Sequence, residues 1–379
     1  MHVRSILAGL LSLGMTLGCG GGGGFTRTAT PTGSLALAFG SDSFPGYSQA
    51  VVSLEKVEAT ADGATWIPLG NVKATYDLMA LQNGHAVGIL PATTVTAATY
   101  TQFRLTWATV NYSSAIHVPA YLVNAGGTEL SLSMPTTTVV NGPITVSGNA
   151  NVSALIMLSG QQAVQARAGG PHTFQATGRA FDLAGTARIV GHLGDGATAL
   201  SGVEVFAETV DGSGLATVQR RAFTDASGNY VLEGLPTGNL YFVVAQPAST
   251  LSAYAALAAA PVNATTATAT TVNLAFSPPQ TPGSLTLTIT PASTATQGTW
   301  GELRQTLSTG GTGSQTLIVR SQPMDSGLAQ DQAGILGLAP GTYGVTAQRS
   351  TSGAAPVMKT GTQVLVSAGA TATSVLTYP

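Results

Sequence analysis

Cysteine is almost absent from this chain: one residue, Cys19, in 379. A lone thiol excludes an internal disulfide and a cysteine-based zinc cage, so the usual staples of small extracellular domains are missing. Charge is scarce as well. Charged residues make up 8% of the chain, against about 25% in an ordinary soluble domain, so Thr, Ser, Asn, Gln and backbone must wet the surface. Basic and acidic residues nearly cancel, 14 against 16, and no basic cluster exceeds the pair Arg220 and Arg221. Nucleic acid, which demands many phosphate contacts, is therefore excluded as a partner. The histidines His2, His85, His117, His172 and His192 stand singly, and none is paired at i+4, so no metal and no cofactor is expected. A Gly-x-Ser-x-Gly elbow is also missing; "GYSQA" at Gly46 to Ala50 lacks the final glycine. A triad assembled across loops remains open, because geometry rather than sequence defines one.

Long apolar runs are lacking too. Ile6 to Leu17 is an apolar stretch behind a short polar head containing His2 and Arg4, and it falls well short of the roughly 20 residues that span a bilayer. That length suits the core of a signal peptide, residues 1–18. Thr16, Leu17 and Gly18 before Cys19 resemble the lipobox of bacterial lipoproteins, with Thr16 where the pattern usually has Leu. The resemblance implies cleavage before Cys19 and acylation of its sulfur and amine, which places the membrane among the partners through a lipid anchor on Cys19. The alternative is a plain signal peptide with a chance cysteine. Residues 19–33 read as a Gly/Thr-rich tether spanning on the order of 20 Å. Gly20 rather than Asp after the cysteine looks like an outer-membrane address in lipoprotein sorting.

From Ser34 onward the apolar residues alternate with period two over short runs broken by Gly, Pro, Asn and Asp, so the chain reads as all-β. Phe103, Leu105 and Trp107 share one face of "YTQFRLTW"; Leu285, Leu287 and Ile289 alternate with threonines in "GSLTLTIT". The exception is Ser249 to Pro261, whose alanines predict a short helix stopped by Pro261. A weak echo recurs three times. "GLPTGNLYFVVAQ" from Gly234, "GLAPGTYGVTAQ" from Gly337 and "AATYTQFRL" before Leu105 each lead through a turn into an aromatic and then a strand. Three copies imply three tandem β-sandwich modules, at 34–184, 185–277 and 283–379, with "SPPQTP" around 278–282 as a stiff extended linker.

Two of these modules resemble known families. "GSLALAF", "VVSLEKVEA", "WIPL", "DLMALQNG" and "TYTQFRL", in this order, resemble a bacterial envelope family known only as a domain of unknown function, number 4382. The family has no established activity, so the resemblance implies location and architecture only. In the second module "ARIVGHL", "GVEVFA" and "TDASGNYVLEGLPTGNLYFVV" resemble the carboxypeptidase regulatory-like domains, which implies a small transthyretin-type, immunoglobulin-like sandwich with an accessory role. The third module shares the closing hairpin.

Candidate chemistry is thin. Asp225 and Asn229 offer oxygens, but the third position and distal Glu of a calcium loop are missing, which favours a hairpin turn with Gly228 at positive φ; Val210 to Gly214 reads alike. An internal Lys to Asn isopeptide bond is impossible in the second module, which has no lysine, and Lys56 in the first stands at a charged edge beside Glu55 and Glu58. Trp66 and Trp107 lie in alternating strands, and Trp107, sharing its face with Phe103 and Leu105, reads as a core residue. Trp300 in "TATQGTWGELRQ" has no apolar neighbour at i±2, so it is the candidate ligand-binding residue, with a hydrophobic plug as the other reading. The sequence therefore predicts a non-catalytic envelope lipoprotein acting as a structural, adhesive or protein-binding module; the alternative is a carbohydrate-binding accessory protein. A protein or glycan of the envelope is the expected partner, with the protein in the periplasm or on the cell surface.

Overall fold

The structure is a computed structural model and describes residues 30–379, apart from 43, 45, 114–117, 125, 161–162, 166–170, 197, 248, 250, 267, 295–296, 311–312, 327–328 and 352–355. The leader, Cys19 and the tether as far as residue 29 lie outside the described residues, as does His117. Strands carry the architecture, as the alternation predicts. No α-helix occurs among the described residues; 3-10 turns occupy Leu78–Leu81 and Leu183–Gly185.

The first twelve strands are β1 (Thr32–Ser41), β2 (Tyr47–Thr60), β3 (Ile67–Asp77), β4 (Val87–Thr96), β5 (Ala98–Trp107), β6 (Ala120–Asn124), β7 (Glu129–Ser133), β8 (Thr137–Val146), β9 (Asn151–Ser159), β10 (Val164–Gln165), β11 (His172–Phe174) and β12 (Thr177–Asp182). They form one sheet in the order β10-β11-β7-β6-β2-β5-β8-β12-β9-β1-β4, with β3 on β2. The sheet curls until Gly70 of β3 meets the Leu90 side chain of β4. Its inner face, with Leu37, Phe39, Val57, Phe103, Ile144 and Ile156, closes on a core of its own. Thr32 and Gly33, expected in the tether, already belong to β1 and pair with Thr96 and Val95.

The second module comprises β13 (Thr186–Asp195), β14 (Thr198–Ala199), β15 (Glu204–Val210), β16 (Ala216–Phe223), β17 (Asn229–Pro236), β18 (Leu240–Ala245), β19 (Leu257–Ala258), β20 (Val262–Asn263), β21 (Thr270–Thr271) and β22 (Leu274–Ala275). One sheet runs β14-β13-β17 with β21 and β22 on β13; the other runs β16-β15-β18-β19 with β20 on β18. Between them lie Ile189, Val205, Ala207, Leu232, Tyr241 and Val243.

The third module comprises β23 (Gly283–Thr290), β24 (Gln297–Ser308), β25 (Ser314–Pro323), β26 (Asp325–Ser326), β27 (Asp331–Leu338), β28 (Gly341–Thr351), β29 (Val357–Thr360), β30 (Val364–Val366) and β31 (Thr371–Thr377). Its sheets run β26-β27-β23-β31 and β25-β24-β28-β29, with β30 on β28. In β23 the predicted alternation holds: Leu285, Leu287 and Ile289 are buried and the threonines turn outward.

The second and third modules are not separate beads on a linker. Residues on the outer face of the β15/β18 sheet, Phe206, Phe242 and Val244, share one hydrophobic cluster with Leu303, Leu317 and Val345. Both faces of β15 are therefore buried, one in its own module and the other against the next. Gln280 of the proline-rich segment bridges back to Ala253, and the Pro282 carbonyl accepts from the Gly369 amide.

Each copy of the sequence echo builds the same device. The Tyr100 hydroxyl donates to the Thr96 carbonyl at 2.8 Å, Tyr241 to Pro236 at 2.5 Å and Tyr343 to Ala339 at 2.7 Å, and all three residues are fully buried. A buried tyrosine thus ties the incoming turn to the strand it starts, the tyrosine corner of β-sandwiches. Burial of the ring contributes area; the hydroxyl settles a backbone acceptor that the turn leaves unpaired.

The helix predicted over Ser249 to Pro261 does not form. Ala253 instead exchanges hydrogen bonds with Gln280, and Leu257 and Ala258 pair with β18. The Tyr254 hydroxyl donates to Asp195 at 2.9 Å. A segment this short bears the full nucleation cost of a helix, and partners in neighbouring strands meet its backbone groups instead.

Candidate functional site

The motif "DLMALQNG" is a joint. Asp77 accepts from the amides of Met79 and Ala50, both at 3.0 Å, capping the 3-10 turn in which Leu78 is fully buried. Asn83 and Gly84 follow at positive φ, and there Asn83 engages the backbone of Asn229 and accepts from the Val231 amide in β17. The first module therefore holds the edge of the second through a side-chain amide. Arg220 adds to this contact, lying 4.5 Å from the Phe181 ring and donating to the Glu233 carbonyl at 3.0 Å. Asp42, at the end of β1, is buried near the same arginine pair. Burial raises its carboxyl to about 6, with Arg220 and Arg221 pulling the other way.

The tryptophans divide differently from expectation. Trp107 is in the core as predicted, with Nε1 donating to Thr138 at 2.9 Å and the ring edge-on to Phe174. Trp66 lies just before β3 under the Arg104 guanidinium, 4.3 Å away. Trp300 is not exposed: it is 2% accessible, and its Nε1 donates to Ser321. Its strand, β24, is central and buried on both faces, which no i±2 pattern reveals when the neighbours are Gly298 and Glu302. A platform for a ligand at Trp300 is thereby removed.

Trp300 faces the second module across a buried electrostatic seam. The Arg221 guanidinium lies 5.5 Å from the Trp300 ring and 5.3 Å from Phe206, and pairs with Glu204 at 3.1 Å. Arg304 pairs with Glu302 at 2.8 Å and donates to the Ala216 carbonyl of the second module at 3.1 Å. Glu208 accepts from the Ile318 amide at 3.0 Å, while its other oxygen and Arg304 Nε have no partner among the described residues. Burial pushes the Glu208 carboxyl up to about 8, against the pull of that amide and of Arg304. Ten charged residues are buried among those described, so the surface carries even less charge than the composition suggests.

A cavity of about 450 Å³ opens where all three modules meet. Tyr47 and His172 of the first module form one wall, their rings edge to face at 6.3 Å. Glu204 and Gln246 come from the second module, Arg320, Gln322 and Asp325 from the third. Tyr343 commits its proton to Ala339, so its oxygen accepts from Gln246 Nε2 at 2.7 Å. That leaves Gln246 Oε1 buried and without a partner among the described residues.

Among the described residues no group of three His, Cys, Asp or Glu is placed to hold a metal ion, and no helix is long and apolar enough to cross a membrane. Asp225 accepts from the Ser227 and Asn229 amides, both at 2.8 Å, and Gly228 takes positive φ, the hairpin turn the sequence predicts. Asp211 organises the second such turn in the same way. Lys56 is 39% exposed beside Glu58, but β2 pairs with β3 and β5 on its two sides there, so Lys56 is not at the strand edge the sequence suggests.

The curled sheet coincides with a recognised domain. Residues 32–175 match the family model of DUF4382, a domain of unknown function. The match agrees with the resemblance read from "DLMALQNG" and "YTQFRL" and stops just before β12, which pairs with β9 inside the same sheet. No curated protein matches the chain. Among solved structures it is similar to a streptococcal ancillary pilin, at 12% identity over 91% of this chain and 99% of that one, TM-score 0.22. The Bacillus anthracis TIE protein is similar at 12% identity over 92% of this chain and 50% of that one, TM-score 0.20. A putative adhesin from Bacteroides ovatus is similar at 12% identity over 51% and 89%, TM-score 0.19.

The arginine pair was visible in the sequence only as the largest basic cluster of a poorly charged chain. The signal that marks it is position: Arg220 and Arg221 occupy both faces of a strand whose other residues alternate, so at least one must face protein. The junction cavity left no such signal, since its residues are scattered from 46 to 334.

Proposed function

We propose that the chain is a non-catalytic structural and adhesive module of a bacterial cell envelope, tethered to the outer membrane by lipid on Cys19. The observation that carries this reading is the use of charge. Scarce ionic groups are turned inward to lock module to module, as at Arg221 between Phe206 and Trp300, leaving outer faces of Thr and Ser such as that of β23. Such a body suits bearing load and making contacts that depend little on ionic strength. The two-sheet build of the second module and its "TDASGNY" turn support an accessory sandwich of the carboxypeptidase regulatory-like kind.

The test is mass spectrometry of the mature N-terminus from native cells, together with membrane fractionation of wild type and Cys19→Ser. An acylated Cys19, and loss of Cys19→Ser from the membrane fraction, are expected. Retention of Met1 on a protein recovered wholly in the aqueous phase of a detergent extraction overturns the anchor. Surface adhesion is expected to persist from about 0.05 to about 1 M salt; a steep fall counts against a contact made by uncharged faces.

A further inference from the structure

We propose that the cavity at the three-module junction binds a neutral sugar, a mono- or disaccharide unit of a glycan. The inference deepens the adhesive reading by naming what the body holds, but its chemistry is independent of the anchor. Four observations lead to it.

The lining offers both donors and acceptors. Asp325 accepts hydroxyl protons, while Arg320 and Gln322 donate, their bonds to carbonyls of β27 being long ones of 3.4 and 3.3 Å. Vicinal hydroxyls, each both donor and acceptor, answer such planar side chains in pairs.

The charge balances. Arg320 faces Asp325 and the Arg221-paired Glu204 across the cavity, so no net positive field is available for a phosphate or nucleotide, and no glycine-rich loop or helix N-terminus lines it. The wall is aromatic but small. Tyr47 and His172 offer ring edges and C–H-binding faces for one sugar ring, while apolar lining is too sparse for a lipid or a mainly apolar ligand. Burial raises the Tyr47 hydroxyl, so it stays a neutral donor at physiological pH. A volume of about 450 Å³ is within the range of small-molecule sites.

The experiment titrates the full-length protein with neutral hexoses, N-acetylhexosamines and their disaccharides, followed by saturation-transfer NMR and calorimetry. At least one neutral sugar is expected to bind. Gln322→Ala and Asp325→Asn, on the cavity's accessible rim, are each expected to weaken it about tenfold. Thr373→Ala on the outer face of β31 is expected to leave it unchanged. Thermal unfolding of each variant separates lost binding from lost folding. The proposal is overturned if no neutral sugar binds wild type, if only acidic sugars or phosphates bind, or if binding is indifferent to both rim substitutions. None of these results bears on acylation of Cys19, so failure here and failure of the anchor are told apart.

Discussion

The first module and the pair formed by the second and third solve the same problem in different ways. The first module closes one curled sheet over its own core, and its charged pairs, Glu58 with Arg104 and Lys56, lie on the interior strands β2 and β5, with Glu58 buried and both cations partly exposed. The second and third modules bury the outer face of one sheet against the other and place Arg221, Glu204, Glu208, Glu302 and Arg304 inside the contact. A self-contained sheet needs only alternation. A sheet that must also recognise its neighbour needs directional groups, and a buried ion pair supplies register at the cost of desolvation. Register is our reading of why charge is concentrated here in a chain that has so little.

The largest test of this contrast is Arg221→Ala. It leaves Glu204 uncompensated and removes the guanidinium between Phe206 and Trp300, so a loss on the order of 3–5 kcal/mol is expected by chemical denaturation. Arg104→Ala in the first module leaves Glu58 its second partner Lys56 and should cost less, on the order of 1 kcal/mol. Equal losses would erase the distinction between the two regions.

A pH series reads the seam directly. The Glu208 carboxyl sits at about 8 in the folded protein against 4.5 ordinarily, because burial penalises its charge. Between those values the folded chain keeps a proton that the unfolded chain has released, so raising pH disfavours folding. The contribution is complete below the unfolded value and is lost as pH passes through the folded one, with a slope of about 1.4 kcal/mol per pH unit between. Asp42, raised to about 6, acts with the same sign over a narrower window. In Glu208→Gln the dependence attributable to the seam should vanish. An unchanged slope would mean that Glu208 is ionised in the folded state.

The tyrosine corners sharpen the comparison further. Tyr343→Phe removes the bond to Ala339 and also strands Gln246 Nε2, whereas Tyr100→Phe removes only the bond to Thr96. Losses of about 2 and about 1 kcal/mol respectively are expected from thermal unfolding. The smallest effect belongs to Lys56→Ala. Its ammonium is 39% exposed at 3.3 Å from Glu58, so the change should stay below about 0.5 kcal/mol and shrink with added salt.

Much of the fold was legible beforehand because period-two alternation needs no knowledge of a partner: Phe103, Leu105 and Trp107, or Leu285, Leu287 and Ile289, are buried as their spacing predicts. The echo around Tyr100, Tyr241 and Tyr343 was legible as a pattern, and the structure supplies its reason in the hydroxyl-to-carbonyl bond. Trp300 was misjudged because its neighbours at i±2, Gly298 and Glu302, are not apolar; they are buried because a second module covers them. The alanine-rich stretch after Ser249 was misjudged for a related reason, since Gln280 and β18 compete for its backbone. The cavity was invisible.

The sequence by itself determined the all-β class, the strand faces, the turns at Asp211 and Asp225, and the resemblance of the first module to DUF4382, because each is a matter of local spacing and local hydrogen bonding. Only the tertiary structure decided that two modules share a core, that Arg221 and Glu208 are interior groups, and that Gln246 lines a cavity with its acceptor unmet. Contacts between residues a hundred positions apart depend on how folded surfaces fit, and in a chain that uses the same alternating strand throughout, the strand pattern carries no record of which outer face will be covered.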